Sequence, residues 1–120
     1  MRKVIGIGET ILDIIFKNEQ PTAAKPGGST FNSMITLGRL GVNTEFISEV
    51  GRDRLGKQIK DFLAENNVKS ENVYDYDGGK TALSLAFLDE NMNADYLFYK
   101  NDAAQKLDYV MPKIEENDII

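Results

Sequence analysis

The chain has 120 residues, of which 42% are hydrophobic and 28% are charged, and these values are typical of one globular domain. It contains no cysteine and no histidine, which excludes disulfides, thiol nucleophiles, histidine bases and the usual zinc sites. The 14 basic and 19 acidic residues give a net charge of −5 without a basic stripe. We therefore expect neither nucleic acid nor an anionic membrane surface as a partner.

The amino terminus leads directly into the first predicted strand, which runs from Lys3 to Gly8 and lacks the features of a signal peptide. No apolar stretch in the sequence is long enough to cross a membrane. We therefore expect a soluble, cytoplasmic protein.

The first predicted strand ends in Gly6-Ile7-Gly8, which invites comparison with the dinucleotide-binding fingerprint. That fingerprint needs a third glycine three positions after Gly8, where this chain has Ile11. It also needs a helix next, whereas residues 11–16 are β-branched and apolar and indicate a strand. A Rossmann-type nucleotide-binding domain is therefore only a weak alternative.

Asp13 is the one charged residue in this second predicted strand, on the same face as Ile11 and Ile15. Burying an unpaired carboxylate is costly, so Asp13 must contact water, a partner or a ligand. Two interpretations stay open at this point. Asp13 is either a ligand-binding acid or an acid at an edge or turn that accepts backbone N–H bonds.

Residues 17–26 are polar and contain two prolines, so we predict a loop or an irregular strand there. Gly27 and Gly28 follow, and adjacent glycines allow the backbone to come very close to a bound molecule. A helical period then extends from about Thr30 to Leu40, with Ser29 and Thr30 as candidate caps.

This predicted helix directs its unpaired N–H groups at the glycine turn. Asn32 lies in its first turn, where a side-chain amide can both donate and accept hydrogen bonds. A small polar ligand is therefore the first functional hypothesis.

A strand from Glu45 to Val50 and a second helix with Asp53 as its N-cap come next. The short alternation of strand, helix, strand and helix predicts an α/β fold with a parallel sheet covered by helices. We interpret the basic side chains in and just before the second helix as a solvated face and not as a phosphate site; they are Arg52, Arg54, Lys57 and Lys60.

From Val73 onward the pattern changes, and residues 81–89 and 95–100 predict an antiparallel hairpin. With residues 11–16 as a third strand, this hairpin would form a small sheet suited to a lid or a subunit contact. We also predict a short helix over residues 109–116 and the first residues of another buried strand at Asp118-Ile119-Ile120.

The chain resembles the amino-terminal part of the PfkB, or ribokinase-like, carbohydrate kinases, and fructokinase-type members most closely. The resemblance covers nearly the whole chain and is far more specific than a lone glycine pair. It rests on Gly8, Glu9, Asp13, Gly27, Gly28, Asn32, Gly41, Gly51, Asp53, Gly56 and Phe98-Tyr99-Lys100. The chain departs from the family pattern at Thr30, Met34 and Ala94.

This resemblance implies a partial ribokinase-like fold, with a small β lid sheet formed near residues 11–26 and 81–100. It also implies phosphoryl transfer from ATP, with Mg²⁺, to a primary hydroxyl of a sugar. By position, Asp13 and Asn32 would bind sugar hydroxyls, and the backbone of Gly27 and Gly28 would line the sugar. The lid sheet would close over the substrate and join copies of the chain into a homo-oligomer.

The family's catalytic aspartate lies in a Gly-Ala-Gly-Asp motif of the carboxyl-terminal, ATP-binding half, and this sequence lacks that motif. We therefore expect residues 1–120 to be the amino-terminal portion of a sugar kinase, inactive alone and without catalytic, metal-binding or ATP-binding residues. Edges exposed by truncation would favour association. The main alternative is a non-catalytic sugar-binding or dimerisation module, and the sequence does not identify the sugar.

Overall fold

The computed structural model describes residues 2–100 and 111–120, which form two sheets and two helices. The first sheet contains β1 (Val4–Ile7), β4 (Thr44–Gly51), β5 (Val68–Lys69) and β6 (Val73–Tyr76). The second sheet contains β2 (Ile11–Lys17), β3 (Gln20–Gly27), β7 (Leu83–Leu88) and β8 (Ala94–Tyr99). The helices are α1 (Ser29–Arg39) and α2 (Arg54–Glu65).

The first sheet is parallel and has β4 at its centre. β1 pairs with one side of β4, while β5 and β6 pair with successive parts of its other side. Ile119 makes a parallel bridge to Val4 on the free side of β1. The predicted parallel sheet covered by helices is confirmed.

The hydrophobic core lies between this sheet and the two helices. The ring of Phe31 on α1 packs edge-on against Phe46 of β4 and stacks on Phe62 of α2, each at a centroid distance of 6.0 Å. The other buried core residues are Met34, Ile35, Val50, Ile59, Leu63, Val68 and Val73. Both helices therefore bury the apolar stripes that their helical periods predicted.

Two glycines of the β1 region allow α1 to pack closely on this sheet. A Cβ at Gly6 would lie 2.6 Å from Met34 Cγ, and a Cβ at Gly8 would lie 2.7 Å from Thr30 Cβ. These glycines make room for the side chains of Thr30 and Met34, two of the positions at which the chain departs from the pattern of the family it resembles. Because Gly8 leads to strand β2 and not to a helix, the Rossmann-type alternative is wrong.

The second sheet has the strand order β3-β2-β7-β8. β2 and β7 are parallel, and the outer strands pair antiparallel with them, so the predicted hairpin and its third strand are confirmed. Of the two possibilities predicted over residues 17–26, a loop or an irregular strand, the second is confirmed, because β3 is an edge strand whose pairing with β2 shifts register between Ile15 and Phe16. Pro21 and Pro26 fit there because an edge strand leaves half of its backbone groups without a ladder partner.

Three further predictions need correction or comment. The N-cap of α1 is Gly28, and neither Ser29 nor Thr30 caps the helix. Of the predicted helix over 109–116, residues 109 and 110 lie outside the described residues, and residues 111–116 are not helical. The backbone of Ile119 does pair with β1, but Ile119 is 47% exposed, so it is not buried as predicted.

Neither helix in the described part of the chain is long and apolar enough to span a membrane.

Candidate functional site

Four side chains form a row across one face of the second sheet. Register places Lys25 of β3 beside Asp13 of β2, Asp13 beside Ser84 of β7, and Ser84 beside Phe98 of β8. Directly paired residues project to the same face of a sheet, so these four residues share one face. We call them the Asp13 row.

The carboxylate of Asp13 has a fixed position in this row. Ser84 is fully buried, and its hydroxyl donates a hydrogen bond to Asp13 Oδ1. A Cβ at Gly27 would overlap Asp13 Oδ2, so the missing side chain at Gly27 makes room for the carboxylate. Asp13 is only partly buried, which leaves it able to accept hydrogen bonds from a ligand.

The turn from β3 into α1 lies next to this carboxylate. Gly28 has a φ of 128°, and a Cβ there would overlap the carbonyl oxygen of Glu9, so only glycine fits without strain. Gly28 accepts a hydrogen bond from the backbone N–H of Asn32 at 2.9 Å, which starts the helix. Among the described residues no side chain caps this helix, so its first N–H groups stay available to a ligand.

The two sheets are joined close to this turn. Thr10 and Ser48 share a buried hydrogen bond of 2.8 Å between their hydroxyl groups, which ties the start of β2 to β4. On the other side, Lys100 Nζ lies 3.0 Å from Glu9 Oε2 and 5.8 Å from the ring centroid of Phe98. The ion pair connects the end of β8 to the loop between β1 and β2, but both of its side chains are largely exposed, so it adds little stability.

A second connection is made by Asp53, the N-cap of α2. Its Oδ1 accepts hydrogen bonds from the Gly56 N–H at 2.8 Å and from the Thr81 hydroxyl at 2.7 Å. Its Oδ2 accepts one from the Thr81 N–H at 2.8 Å, and the Thr81 hydroxyl accepts one from Gly51 at 3.0 Å. Burial alone would raise the pKa of Asp53, but these hydrogen bonds outweigh it and hold the pKa below its ordinary value.

Two groups near the carboxyl end of β4 have a raised pKa. Burial raises the pKa of Glu49, and the nearby carboxylate of Glu9 raises it further. Burial also raises the pKa of Tyr76, with smaller effects from Glu49 and Asp53. The hydroxyl of Tyr76 donates to the Lys80 carbonyl at 2.7 Å, so it is occupied as a structural donor.

Asn32 lies on the exposed side of α1. Its side chain lines a groove of about 900 Å³ between α1 and α2, which also contacts residues 24–26 of β3. We call this the interhelical groove. Asp13 is not among the residues that line it.

The structure therefore brings three of the predicted site residues together and places the fourth at their edge. Asp13, Gly27 and Gly28 surround the start of α1, and Asn32 is linked to them through its backbone. Sequence reasoning missed Ser84 and gave no role to Phe98. Alternation in residues 82–87 put Ser84 on one face of a strand, but only the parallel pairing of β7 with β2 shows that this face is the one that carries Asp13.

Comparisons with known proteins bear on the function. The amino-acid sequence matches the family model described as pfkB family carbohydrate kinase over residues 1–120. The probable fructokinase-6, chloroplastic, of Arabidopsis thaliana is 30% identical over 111 residues, which are 87% of this chain and 29% of that protein. The chain spans about a third of the length of the curated relatives it matches.

Two solved structures share this arrangement of strands and helices. An uncharacterized sugar kinase from Pyrococcus horikoshii in complex with ATP has a TM-score of 0.71 and 25% identity, covering 80% of this chain and 33% of that one. A putative ribokinase from Agrobacterium tumefaciens has a TM-score of 0.81, covering 92% of this chain and 40% of that one. Its 17% identity limits this second likeness to the fold.

Proposed function

Since the chain belongs to the pfkB family of carbohydrate kinases and has part of the ribokinase-like fold, we propose that it is the sugar-binding portion of a sugar kinase. The complete enzyme would transfer a phosphoryl group from ATP to a primary hydroxyl of a sugar. The fructokinases among its relatives make a ketohexose the first sugar to test.

The observation that carries this proposal is the position of the Asp13 carboxylate. It lies against Gly27, next to the N terminus of α1, which has no side-chain cap. The buried hydroxyl of Ser84 orients it through a hydrogen bond. A carboxylate accepts hydrogen bonds and helix N–H groups donate them, so together they match neighbouring hydroxyls, which do both. No other charged group is needed to bind a neutral polyol.

Two further side chains complete the proposed site. Asn32 would bind another sugar hydroxyl through its amide, from the exposed side of α1. Phe98, which is 60% exposed on the same sheet face as Asp13, offers an aromatic surface of the kind that commonly lines small-molecule sites.

We also propose that the second sheet is a lid that closes over the sugar and excludes water, which would otherwise compete for the phosphoryl group. The face of this sheet opposite the Asp13 row is apolar and suits contact with a second copy of the chain. Its apolar residues are Leu12, Ile14, Phe16, Leu83, Leu85, Phe87, Leu97 and Tyr99, and Asp95 lies on the same face near the start of β8. We call this the apolar lid face.

ATP and Mg²⁺ are part of the proposed reaction, but no residue of this chain is assigned to them. Among residues 2–100 and 111–120, no three carboxylates or other ligating groups cluster in a way that would hold a metal ion. The Gly-Ala-Gly-Asp motif that carries the catalytic aspartate in this family does not occur in the sequence. We therefore propose that residues 1–120 alone bind the sugar but do not phosphorylate it.

Calorimetric titration of the chain with D-fructose, D-ribose, D-glucose and ATP tests the proposal. We expect one of the sugars to bind and ATP not to bind. Asp13→Asn should weaken sugar binding by about tenfold or more, because the variant loses a charge-assisted acceptor worth roughly 1.5–3 kcal/mol. Asp95→Asn is the matched control, since Asp95 lies on the opposite face of the same sheet.

Equal sugar affinity in both variants would remove Asp13 from the site. Binding of ATP without any sugar would overturn the proposed role of the chain. Sugar binding combined with ATP-dependent phosphorylation by the purified chain would contradict only the proposed inactivity. The alternative of a purely non-catalytic binding module is tested by assaying ATP-dependent phosphorylation of the sugar with a longer protein that includes this chain.

A further inference from the structure

The interhelical groove carries a charge pattern unlike that of the rest of the chain. Four of its lining side chains are basic and two are acidic, whereas the whole chain has a net charge of −5. The basic residues are Lys25, Arg39, Arg54 and Lys57, and the acidic ones are Asp61 and Glu65. A cationic groove on an acidic protein concentrates anions near itself.

Two of these basic side chains already have partners on the helices. Lys57 Nζ lies 2.7 Å from Asp61 Oδ2, and Arg39 Nε donates to Asn66 Oδ1 at 2.6 Å. Lys25 and Arg54 form no ion pair and no side-chain hydrogen bond within the part of the chain that the structure describes. They belong to different elements, β3 and the first residue of α2, and both line one space.

The rest of the groove suits a small organic molecule. Its volume of about 900 Å³ is in the range of ligand sites, and Ile35 and Phe62 add apolar surface to the polar side chains of Asn32, Thr36 and Gln58. Amides and hydroxyls can bind the hydroxyls of a sugar, while an ammonium and a guanidinium can both contact one phosphate group.

We propose that the interhelical groove binds a phosphate ester of a sugar, with Lys25 and Arg54 contacting the phosphate. This revises the interpretation of Arg54 as part of a solvated face. The site goes beyond the proposed sugar-binding role in adding a phosphate contact, and it adjoins that sugar site, because Asn32 and Lys25 line the groove while Asp13 does not. A free sugar phosphate and a nucleotide share this chemistry, and the test below distinguishes them.

The test is titration of the ¹⁵N-labelled chain with D-fructose 6-phosphate, AMP or inorganic phosphate, followed by amide chemical shifts. We expect one ester to bind, with shifts that cluster at residues 24–26, 32–39 and 54–65. Arg54→Gln and Lys25→Gln should each weaken its binding by about fivefold, as expected for one charge contact at a partly exposed site. Binding should also weaken with added salt.

Arg52→Gln and Lys17→Gln are the matched controls, since both residues are exposed and neither lines the groove. We expect both controls to keep the affinity of the unchanged chain. The proposal is overturned if no ester binds, if the controls lose as much affinity as the groove variants, or if inorganic phosphate binds as tightly as both esters. Arg54→Gln should leave the affinity for the unphosphorylated sugar unchanged, so this proposal and the proposed sugar site can fail separately.

Discussion

The Asp53 carboxylate connects the start of α2 to Thr81 before β7, and the Thr81 hydroxyl in turn accepts a hydrogen bond from Gly51 at the end of β4. The sequence predicted Asp53 as an N-cap, and the structure confirms this. Its bonds to Thr81, 28 residues later, could not be predicted, because no local pattern links a cap to a distant threonine. Asp53 therefore supports both the helix and the junction between the sheets.

We expect Asp53→Asn to lower the free energy of unfolding at pH 7 by about 1–2 kcal/mol, because the amide cannot accept all three hydrogen bonds. Asp53 has a lowered pKa in the folded chain, so its contribution is fully present above its unfolded pKa of about 3.9 and is lost as the pH falls through the folded value. Urea unfolding at pH 7 and at decreasing acid pH measures this. Asp77→Asn is the exposed control, and a loss that does not shrink on acidification would contradict the prediction.

Glu49 should behave in the opposite way. Because burial and Glu9 raise its pKa in the folded chain, its ionisation costs stability as the pH rises above its unfolded pKa of about 4.3. We expect Glu49→Gln to increase the free energy of unfolding at pH 7 and to have no effect well below pH 4. The same urea titrations test this, with Glu71→Gln as an exposed control. A destabilised Glu49→Gln variant at pH 7 would show that the carboxylate is stabilising.

At the scale of elements, periodicity predicted the structure where a segment buries one face. α1, α2 and β7 bury such a face, and all three were predicted. β2 and β8 were also predicted, from their β-branched and aromatic residues, although all of β8 is exposed. β5 has only two residues and no period, and β3 contains prolines that usually interrupt strands. These segments become strands because neighbouring strands pair with them. Such pairing cannot be predicted from a local sequence pattern.

Two glycines flank α1: Gly28 lies in the turn before the helix, and Gly41 lies just after it. Gly28 and Gly41 both have positive φ, of 128° and 82°, but an added Cβ meets the Glu9 carbonyl at Gly28 and no atom within 4 Å at Gly41. We expect Gly41→Ala to cost about 1 kcal/mol through backbone strain alone, and Gly28→Ala to cost at least about twice as much. Thermal or urea unfolding of both variants tests this. Equal losses would mean that the turn moves away from Glu9 without cost.

For the whole molecule, the apolar lid face is the surface that we propose joins two copies of the chain. Leu97 and Tyr96 are neighbours on β8 with exposures of 48% and 50%, but only Leu97 lies on that face. We expect the chain to form dimers, Leu97→Asp to be monomeric because it would bury an unpaired carboxylate, and Tyr96→Asp to stay dimeric. Sedimentation velocity over a range of concentrations measures this. A monomeric unchanged chain at high concentration, or dissociation by Tyr96→Asp alone, would contradict it.

The sequence predicted the separate parts of the candidate site but not their arrangement in space. The glycine pair, the helix and the acid on β2 are each local features, and the sequence predicted them. Their meeting at one place depends on β3 returning antiparallel along β2, which brings Gly27 opposite Ile11 and beside Asp13. The orientation of Asn32 toward the interhelical groove depends on how α1 packs against the first sheet, so no pattern within the helix could predict it.

The central claim is that the Asp13 carboxylate and the N terminus of α1 bind a polyol together. The most direct measurement is a titration of the ¹⁵N-labelled chain with the sugar that binds in calorimetry, followed by the amide shifts of Asp13, Gly28, Ser29 and Ser84. We expect these amides to shift together along one saturation curve, and Asp13→Asn to remove the shift of Ser29. Saturable binding that leaves all four amides unchanged would contradict the claim.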